Sequence, residues 1–324
     1  MKTISYRDAI REALREEMLR DDRVFIMGED VGAFGGAFRL TEGLYDEFGP
    51  ERVRDTPITE AAIMGSALGA ALTGMRPVAE IMFVDFILAG MDQLVNQIAK
   101  MRYFSGGTAK APLVIRAQGG AGDRAAAQHS QSLAAVFAHI PGLRVAYPST
   151  PYDAKGLMKT AIRSDDPVLF IEHKSLYTTE GEIPEEEYLI PFGEADIKRV
   201  GSDVTVVATS HMAWKAMNVV EDLARSGIDV ELIDPRTVSP LDKTAILKSV
   251  AKTGKLVVVD EDVKSYGVAA EIAATVAEEA LDHLDTPIKR VSTLDTPIPF
   301  GPVLEDYVIP SEEDIKRAVA EIAA

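Results

Sequence analysis

The sequence contains no cysteine among its 324 residues. That absence excludes a disulfide framework, a thiolate nucleophile and metal or iron–sulfur sites built on cysteine. Long apolar runs are missing as well, since no stretch approaches the roughly 20 apolar residues that a membrane helix needs. The amino terminus also lacks the apolar core of a signal peptide. We therefore expect a cytoplasmic protein whose mature chain starts at Met1.

Positive charge is scarce. The chain has 34 Lys and Arg against 51 Asp and Glu, which gives a formal net charge of -17. Such a charge disfavours direct binding to nucleic acid or to anionic lipid, and it suits a basic protein partner. The length and a hydrophobic fraction of 47% are typical of a globular protein with two domains.

Short apolar strands alternate with helical segments along most of the chain, which predicts the α/β class with two three-layer units and parallel sheets. In the first half the predicted strands are 24–27, 76–82, 113–117, 143–147 and 168–172, and the predicted helices are 6–20, 61–73, 90–104 and 152–164. In the second half the strands are 204–208, 230–233, 256–259 and 288–291, and the helices are 213–226, 242–252 and 268–284.

The alternation breaks between residues 180 and 192, where glycine, proline and a run of three glutamates follow one another. Glycine and proline interrupt regular structure, and a run of like charges is typical of solvated segments. We therefore predict a first domain at 1–185, a linker region at 186–200 and a second domain at 201–324.

One carboxylate, Glu60, lies where a loop becomes an apolar helix. An acidic residue at a helix start is commonly explained by the helix dipole, and Thr59 is a plausible N-cap. The ten residues that follow Ala61 contain hardly any hydrophilic side chain, so we expect this helix to be buried and its first turn to open into a crevice. A partly desolvated carboxylate there, with a raised pKa, suits proton exchange with a heterocycle.

A second candidate is His129, in the segment Gln128-His-Ser-Gln-Ser132 that follows the glycine-rich loop 119–124. A loop histidine bonded to backbone would give the same pattern. The neighbouring serines do not indicate a hydrolase, because the Gly-x-Ser-x-Gly turn between a strand and a helix is absent.

Several segments, in order and nearly end to end, together resemble one family. They are 55–65, 80–86, 101–107, 128–132, 141–144, 148–156 and 234–237. The sequence resembles the β subunit of the thiamine-diphosphate-dependent decarboxylating component of 2-oxo acid and acetoin dehydrogenase complexes. The resemblance implies a pyrimidine-binding thiamine-diphosphate domain, a transketolase C-terminal-type domain, and an α2β2 heterotetramer with the cofactor between an α and a β chain.

The resemblance also implies roles for single residues. Glu60 matches the glutamate that hydrogen-bonds the aminopyrimidine ring and helps to generate the reactive form of the cofactor. Met82 and Phe86 match apolar residues that pack on this ring, although both otherwise read as core. His129 matches a histidine that helps to transfer the acyl group to the lipoyl arm of the acyltransferase core.

The family's metal sites are less evident in this chain. The Gly-Asp-Gly and Asn-Asn signature that holds magnesium and the diphosphate is absent, so the α subunit should supply it. Some relatives bind potassium through backbone carbonyls. The matching residues here are Leu113, Val114, Ala161, Ser164 and Asp166, but Ser164 and Asp166 replace side chains of those relatives.

The resemblance favours pyruvate or acetoin as substrate, mainly through segments 124–132 and 296–306. Three alternatives stay open: a branched-chain 2-oxo acid dehydrogenase β subunit, the C-terminal half of a split transketolase, and a non-catalytic interaction subunit. In the last of these, Glu60 is only a helix-start residue and the acidic surface docks a partner. A basic subunit-binding domain of the acyltransferase core is the partner we expect on the acidic second domain, whose tail includes Glu312-Glu-Asp314.

Overall fold

The computed structural model describes residues 1–323. The chain separates into two compact units. The first comprises 1–119, 137–146 and 150–192, and the second comprises 120–136, 147–149 and 193–324. The loop that carries His129 therefore belongs to the second unit, although it follows a strand of the first.

The first unit is built on a parallel sheet. Its strands are β1 (Lys2–Ser5), β2 (Val24–Gly28), β3 (Val53–Asp55), β4 (Arg76–Ile81), β5 (Val114–Gly119), β6 (Arg144–Ala146), β7 (Val168–His173) and β8 (Glu180–Ile183). Six of them lie in the order β6-β7-β5-β4-β2-β3, and each neighbouring pair is parallel. β1 and β8 form a separate antiparallel pair. Because the six strands are parallel, their carboxyl ends share one edge, where ligand sites of open α/β sheets lie.

Helices connect these strands. They are α1 (Tyr6–Arg20), α2 (Leu44–Phe48), α3 (Glu60–Leu72), α4 (Met101–Phe104), α5 (Ala134–Ala138) and α6 (Pro151–Arg163), with 3₁₀ turns at Val84–Gly90 and Lys174–Leu176 and a π-helix at Asp92–Ile98. α1 and α6 begin at side-chain caps, since Ser5 accepts from the Asp8 N–H and Thr150 from the Asp153 N–H. Each cap satisfies a backbone donor that would otherwise lack an intrahelical partner.

The second unit is a five-stranded sheet with helices. The strands of this sheet are β9 (Asp196–Arg199), β10 (Val204–Ala208), β11 (Val230–Asp234), β13 (Leu256–Val263) and β14 (Lys289–Thr293), and a further short strand, β12 (Thr237–Ser239), lies outside it. The helices are α7 (Ser210–Arg225), α8 (Lys243–Thr253), α9 (Val268–Glu279), α10 (Pro302–Val308) and α11 (Glu312–Ala323), with a 3₁₀ turn at Leu281–His283. The sheet order is β14-β13-β10-β11-β9, and only β9 is antiparallel to its neighbour. Valines of β10 and β13 pack against α7 and α11 in the core.

The predicted class, two α/β units with parallel sheets, is confirmed. The prediction of a single helix over 90–104 is wrong, because a 3₁₀ turn, a π-helix and one α-helical turn follow one another there. β9 lies inside the segment 186–200 that the pattern predicts as a linker. The domain boundary itself stays a prediction.

The expectation that α3 is buried on all sides is also wrong for this chain. Ile63, Met64 and Ala67 are buried, but the opposite face is exposed and Leu72 keeps 45% of its side chain accessible. A helix without polar residues can still have a face that the rest of its own chain does not cover. Among the described residues, no helix combines the length and hydropathy required to cross a bilayer.

Candidate active site

Glu60 is the first residue of α3, as the sequence predicts, and it is half-buried. Thr59 occupies the N-cap position, but its side chain makes no capping hydrogen bond. The segment before Glu60 is tied to the end of β2, because the Thr56 N–H donates to the Gly28 carbonyl at 2.9 Å. Asp55 at the end of β3 accepts from the Gly32 N–H at 2.6 Å. Glu60 therefore lies at the carboxyl edge of the parallel sheet, directly after a loop that is fixed to two of its strands.

Met82 and Phe86 follow β4, and both are half-buried. The turn that contains Phe86 reaches the first turn of α3 through Gly90. A Cβ on Gly90 would overlap the end of Met64 and come within 3.3 Å of the Ala61 backbone. Because glycine has no Cβ, Gly90 allows this approach without displacing Met64 or Ala61, and it brings the Phe86 segment close to the helix start that carries Glu60.

Glu29 is a residue that our sequence reasoning missed. It follows β2 at the same edge of the sheet and is 9% exposed. Burial raises the pKa of Glu29, and the charges of Glu60 and Asp30 raise it further. Glu60 thus has a second carboxyl in its electrostatic field, and the two influence each other's ionisation. The sequence signal was present, since an acidic residue directly follows a buried strand.

A buried ionic network lies across the centre of the same sheet. Arg116 on β5 is fully buried and donates to Glu172 at 2.7 and 2.6 Å and to Glu80. The Tyr177 hydroxyl also donates to Glu172, at 2.7 Å. Burial raises the pKa of Glu80, although Arg116 opposes that shift. A Cβ on Gly28 would lie 2.9 Å from Glu80, so the network packs directly under the strand end that precedes Glu29.

His129 lies in the second unit, on the loop 120–136, and is half-buried. The backbone N–H of His129 donates to the Ala126 carbonyl at 3.4 Å, in a turn where Ala126 has a φ of 61°. Ser130 next to it is 1% exposed, and its hydroxyl has no hydrogen-bond partner within residues 1–323. Carboxylates of β13 and α10 hold the loop, and these residues were also missed from the sequence.

The five residues expected to hold potassium meet at one corner of the first unit, where α6 ends and β7 begins. They are Leu113, Val114, Ala161, Ser164 and Asp166. The Leu113 carbonyl accepts from the Val168 N–H at 3.1 Å, and the Ala161 carbonyl accepts from the Ser164 N–H at 3.1 Å. The backbone oxygens at this corner therefore have donors from the chain itself.

An arginine already lies among these oxygens. Arg76 Nη1 donates to the carbonyls of Ile162 and Ser164, both at 2.9 Å. The Asp166 carboxylate accepts from Arg144 at 2.8 Å. A guanidinium group held in this way repels a further cation at contact distance. Arg76 therefore disfavours a cation at this corner, and the potassium site stays a prediction.

The two halves of the sequence match family models over most of their length. Residues 2–180 match the pyrimidine-binding domain of transketolase, and residues 193–315 match the transketolase C-terminal domain.

Whole-chain relatives are dehydrogenase subunits. The chain is 47% identical to the 2-oxoisovalerate dehydrogenase subunit beta of Bacillus subtilis, over 100% of this chain and 99% of that one. It is 50% identical to the acetoin:2,6-dichlorophenolindophenol oxidoreductase subunit beta of Cupriavidus necator, over 98% and 96% of the two chains. It is 48% identical to the pyruvate dehydrogenase E1 component subunit beta of Rickettsia felis, over 98% of each.

The chain belongs to the β subunits of the thiamine-diphosphate-dependent component of 2-oxo acid and acetoin dehydrogenase complexes. It is therefore an oxidoreductase subunit of that family. A solved structure described as a split gene transketolase, an inactive beta4 tetramer, shares the fold with a TM-score of 0.81, 23% identity and coverage of 99% and 98% of the two chains. The pyrimidine-binding domain implies thiamine diphosphate as cofactor.

Proposed function

We propose that this β subunit activates thiamine diphosphate through Glu60, in a site shared with an α subunit of an α2β2 heterotetramer. The reaction is the decarboxylation of pyruvate or the C–C cleavage of acetoin, followed by acyl transfer to lipoyl groups. When bound, thiamine diphosphate supplies the nucleophilic carbon that makes cleavage next to a carbonyl possible.

The observation that carries this proposal is the position of Glu60 on the first turn of α3, near a second carboxyl whose pKa is raised. A carboxylate at this place accepts a hydrogen bond from a protonated ring nitrogen, or donates one when it holds the proton itself. Burial and the charge of Glu60 raise the pKa of Glu29, which follows β2 at the same edge of the sheet. Glu60 thus has the setting that a proton-sharing role requires.

The apolar part of the cofactor ring fits the same place. Met82 and Phe86 supply half-buried apolar surface on the segment that Gly90 brings against the start of α3. Flat rings are commonly held by such side chains while a few polar groups fix their orientation. In this role Met82 and Phe86 bind the ring, and Glu60 orients it.

The rest of the cofactor needs the partner chain. Only two asparagines, Asn96 and Asn218, occur in the sequence, and the Gly-Asp-Gly signature is absent. A magnesium-bound diphosphate requires oxygen ligands in a near-octahedral arrangement. We assign magnesium and the diphosphate to the α subunit, so that the β subunit alone is inactive.

His129 is proposed to act after cleavage, in acyl transfer to the lipoyl arm. It stands on the loop 120–136, apart in sequence from Glu60, and an imidazole is the side chain best suited to proton transfer near neutral pH. The acyltransferase core is the proposed acceptor. Its basic subunit-binding domain would meet the acidic start of α11. There the Asp314 carboxylate accepts from the backbone N–H and the hydroxyl of Ser311, and Glu312 and Glu313 add negative charge.

The identity of the substrate is more specific than the family, and relatives with different substrates are similarly close to this chain. Relatives named for branched-chain, acetoin and pyruvate substrates are 47%, 50% and 48% identical to this chain. Pyruvate or acetoin remains our proposal, on the segments 124–132 and 296–306. The turnover rates of the assembled enzyme with acetoin, pyruvate and 3-methyl-2-oxobutanoate rank these three substrates. Exclusive use of the branched acid would overturn the proposed preference for pyruvate or acetoin.

The proposal is tested by Glu60→Gln in the assembled enzyme. The amide keeps the shape of the side chain but cannot share a proton with the ring, so we expect turnover to fall about 100-fold or more while assembly is retained. Size-exclusion chromatography with the α subunit reports assembly, and dichlorophenolindophenol reduction reports turnover. The matched control is Glu51→Gln, an exposed glutamate outside α3. A Glu60→Gln enzyme that assembles and keeps full turnover would support a non-catalytic subunit.

A further inference from the structure

The loop 120–136 has no regular structure over residues 120–133, and its last three residues begin α5, yet it must present His129 in one position. Arg124 and Ala126 have positive φ values of 58° and 61°, a conformation that non-glycine residues adopt only when their surroundings impose it. The Gly120 N–H donates to the Gln131 carbonyl at 3.0 Å, which joins the two ends of the loop. Residues outside the loop hold the part between these ends.

Two buried glutamates from distant parts of the second unit bind the loop backbone. Glu261 near the end of β13 accepts from the Ala121 N–H at 2.7 Å and from the Ser132 hydroxyl at 3.2 Å. Glu305 on α10 accepts from the Gly122 N–H at 2.7 Å. The two carboxylates are 4% and 0% exposed. Hydrogen bonds from backbone N–H groups to ionised carboxylates are stronger than those between neutral groups.

The Glu305 contact extends to the loop's arginine. Arg124 donates to Glu305 at 2.9 Å and to Asp306 at 2.7 and 3.0 Å. Hydrogen bonds from Arg124 to Asp306 and Glu305 raise the pKa of the arginine, so its charge stays fixed in this contact. Ala121 also packs with Ile298, Val308 and Ile309 around α10.

We propose that Glu261 and Glu305 are positioning residues, which hold the loop so that His129 can take part in acyl transfer. Glu261 fixes both sides of the loop, at Ala121 before His129 and at Ser132 after it. Glu305 fixes the turn between them. Neither residue lies on the unit that carries Glu60, so they act on the transfer step and leave activation of the cofactor to the first unit. This inference rests on the proposed role of His129.

The test compares two half-reactions of the assembled enzyme. Reduction of dichlorophenolindophenol reports substrate cleavage without a lipoyl group, and reductive acylation of an isolated lipoyl domain reports the transfer. We expect Glu305→Gln and Glu261→Gln to slow acylation by about 10- to 100-fold, because the amide that replaces each carboxylate carries no charge and accepts weaker hydrogen bonds. Dye reduction should change by less than about threefold in the same samples.

The matched control is Glu231→Gln. Glu231 is also a buried glutamate of the second unit and accepts from a backbone N–H, that of Gly201, but it has no contact with the loop. Its substitution should leave both half-reactions intact. Equal loss of acylation in Glu231→Gln would show that the effect is general instability of the unit, which would overturn the inference.

A readout without activity separates this inference from the proposed function. Trypsin cleavage after Arg124, followed by mass spectrometry, reports how firmly the loop is held. We expect faster cleavage in Glu305→Gln than in Glu231→Gln. If His129→Ala slows acylation and the two loop variants do not, the inference is wrong. If the loop variants loosen the loop and neither they nor His129→Ala affect acylation, the proposed role of His129 is wrong.

Discussion

Replacing Arg116 with methionine should destabilise the first unit strongly. The substitution removes the guanidinium that pairs with both Glu80 and Glu172, whose side chains are 2% and 0% exposed. Breaking a buried ion pair by removing one partner costs about 3–5 kcal/mol, because the remaining charge is left uncompensated. For a unit of this size each kcal/mol lowers the melting temperature by about 2–4 °C. We therefore expect a decrease of roughly 6–20 °C.

The pH dependence of this decrease tests its electrostatic origin. Burial already raises the pKa of Glu80, and loss of the Arg116 charge, which opposes that shift, raises the pKa of Glu80 further. A carboxyl whose folded-state pKa is raised binds its proton more tightly in the folded state. Its contribution to stability is therefore complete below the unfolded value of about 4.3 and is lost as the pH rises through the folded value.

Differential scanning fluorimetry of both proteins between pH 5 and pH 8 measures this difference. We expect the gap between Arg116→Met and the unmodified chain to be narrow at pH 5 and wide at pH 8. Arg23→Met is the control, because Arg23 pairs with Asp21 at the surface. A gap that does not change with pH, or one no larger than that of Arg23→Met, would refute the reasoning.

Two further predictions concern the first unit. Gly90→Ala should lower the stability of this unit by about 1–3 kcal/mol, because the added methyl group overpacks against Ala61 and Met64. Gly69→Ala is the control, since its added methyl group meets nothing within 4 Å, and thermal unfolding should show it to be neutral or slightly stabilising. Exchange of sodium for potassium at constant ionic strength should leave the melting temperature unchanged, because Arg76 occupies the carbonyls of Ile162 and Ser164. A Gly90→Ala protein as stable as Gly69→Ala would contradict the prediction for Gly90. An increase in melting temperature that is specific to potassium would contradict the prediction for the ion exchange.

Elements with strong periodicity were predictable from the sequence. α1 begins and ends at the residues expected, Tyr6 and Arg20, because its apolar spacing is regular and Ser5 caps it. The start of α3 at Glu60 was also predicted, from the change between a loop and an apolar run. Local pattern decides such boundaries when the residues that fix them are adjacent in the chain.

The structural features that the sequence did not reveal depend on packing between residues that are distant in the chain. The segment 84–98 forms a 3₁₀ turn and a π-helix, and Gly90 within it packs on Ala61, a contact that no local pattern records. Similarly, Glu261 and Glu305 meet the loop 120–136 only in the folded unit. The acidic triplet at 260–262, directly after an apolar run, was the signal that could have drawn attention to Glu261.

The central claim is that this chain contributes half of a cofactor site. Calorimetric titration with magnesium and thiamine diphosphate tests it most directly, first on the purified chain and then on the chain co-purified with its α subunit. We predict binding only in the mixture, since the chain lacks the magnesium and diphosphate signature. Tight binding by the chain alone would contradict the claim, because it would mean that this chain contains a complete cofactor site.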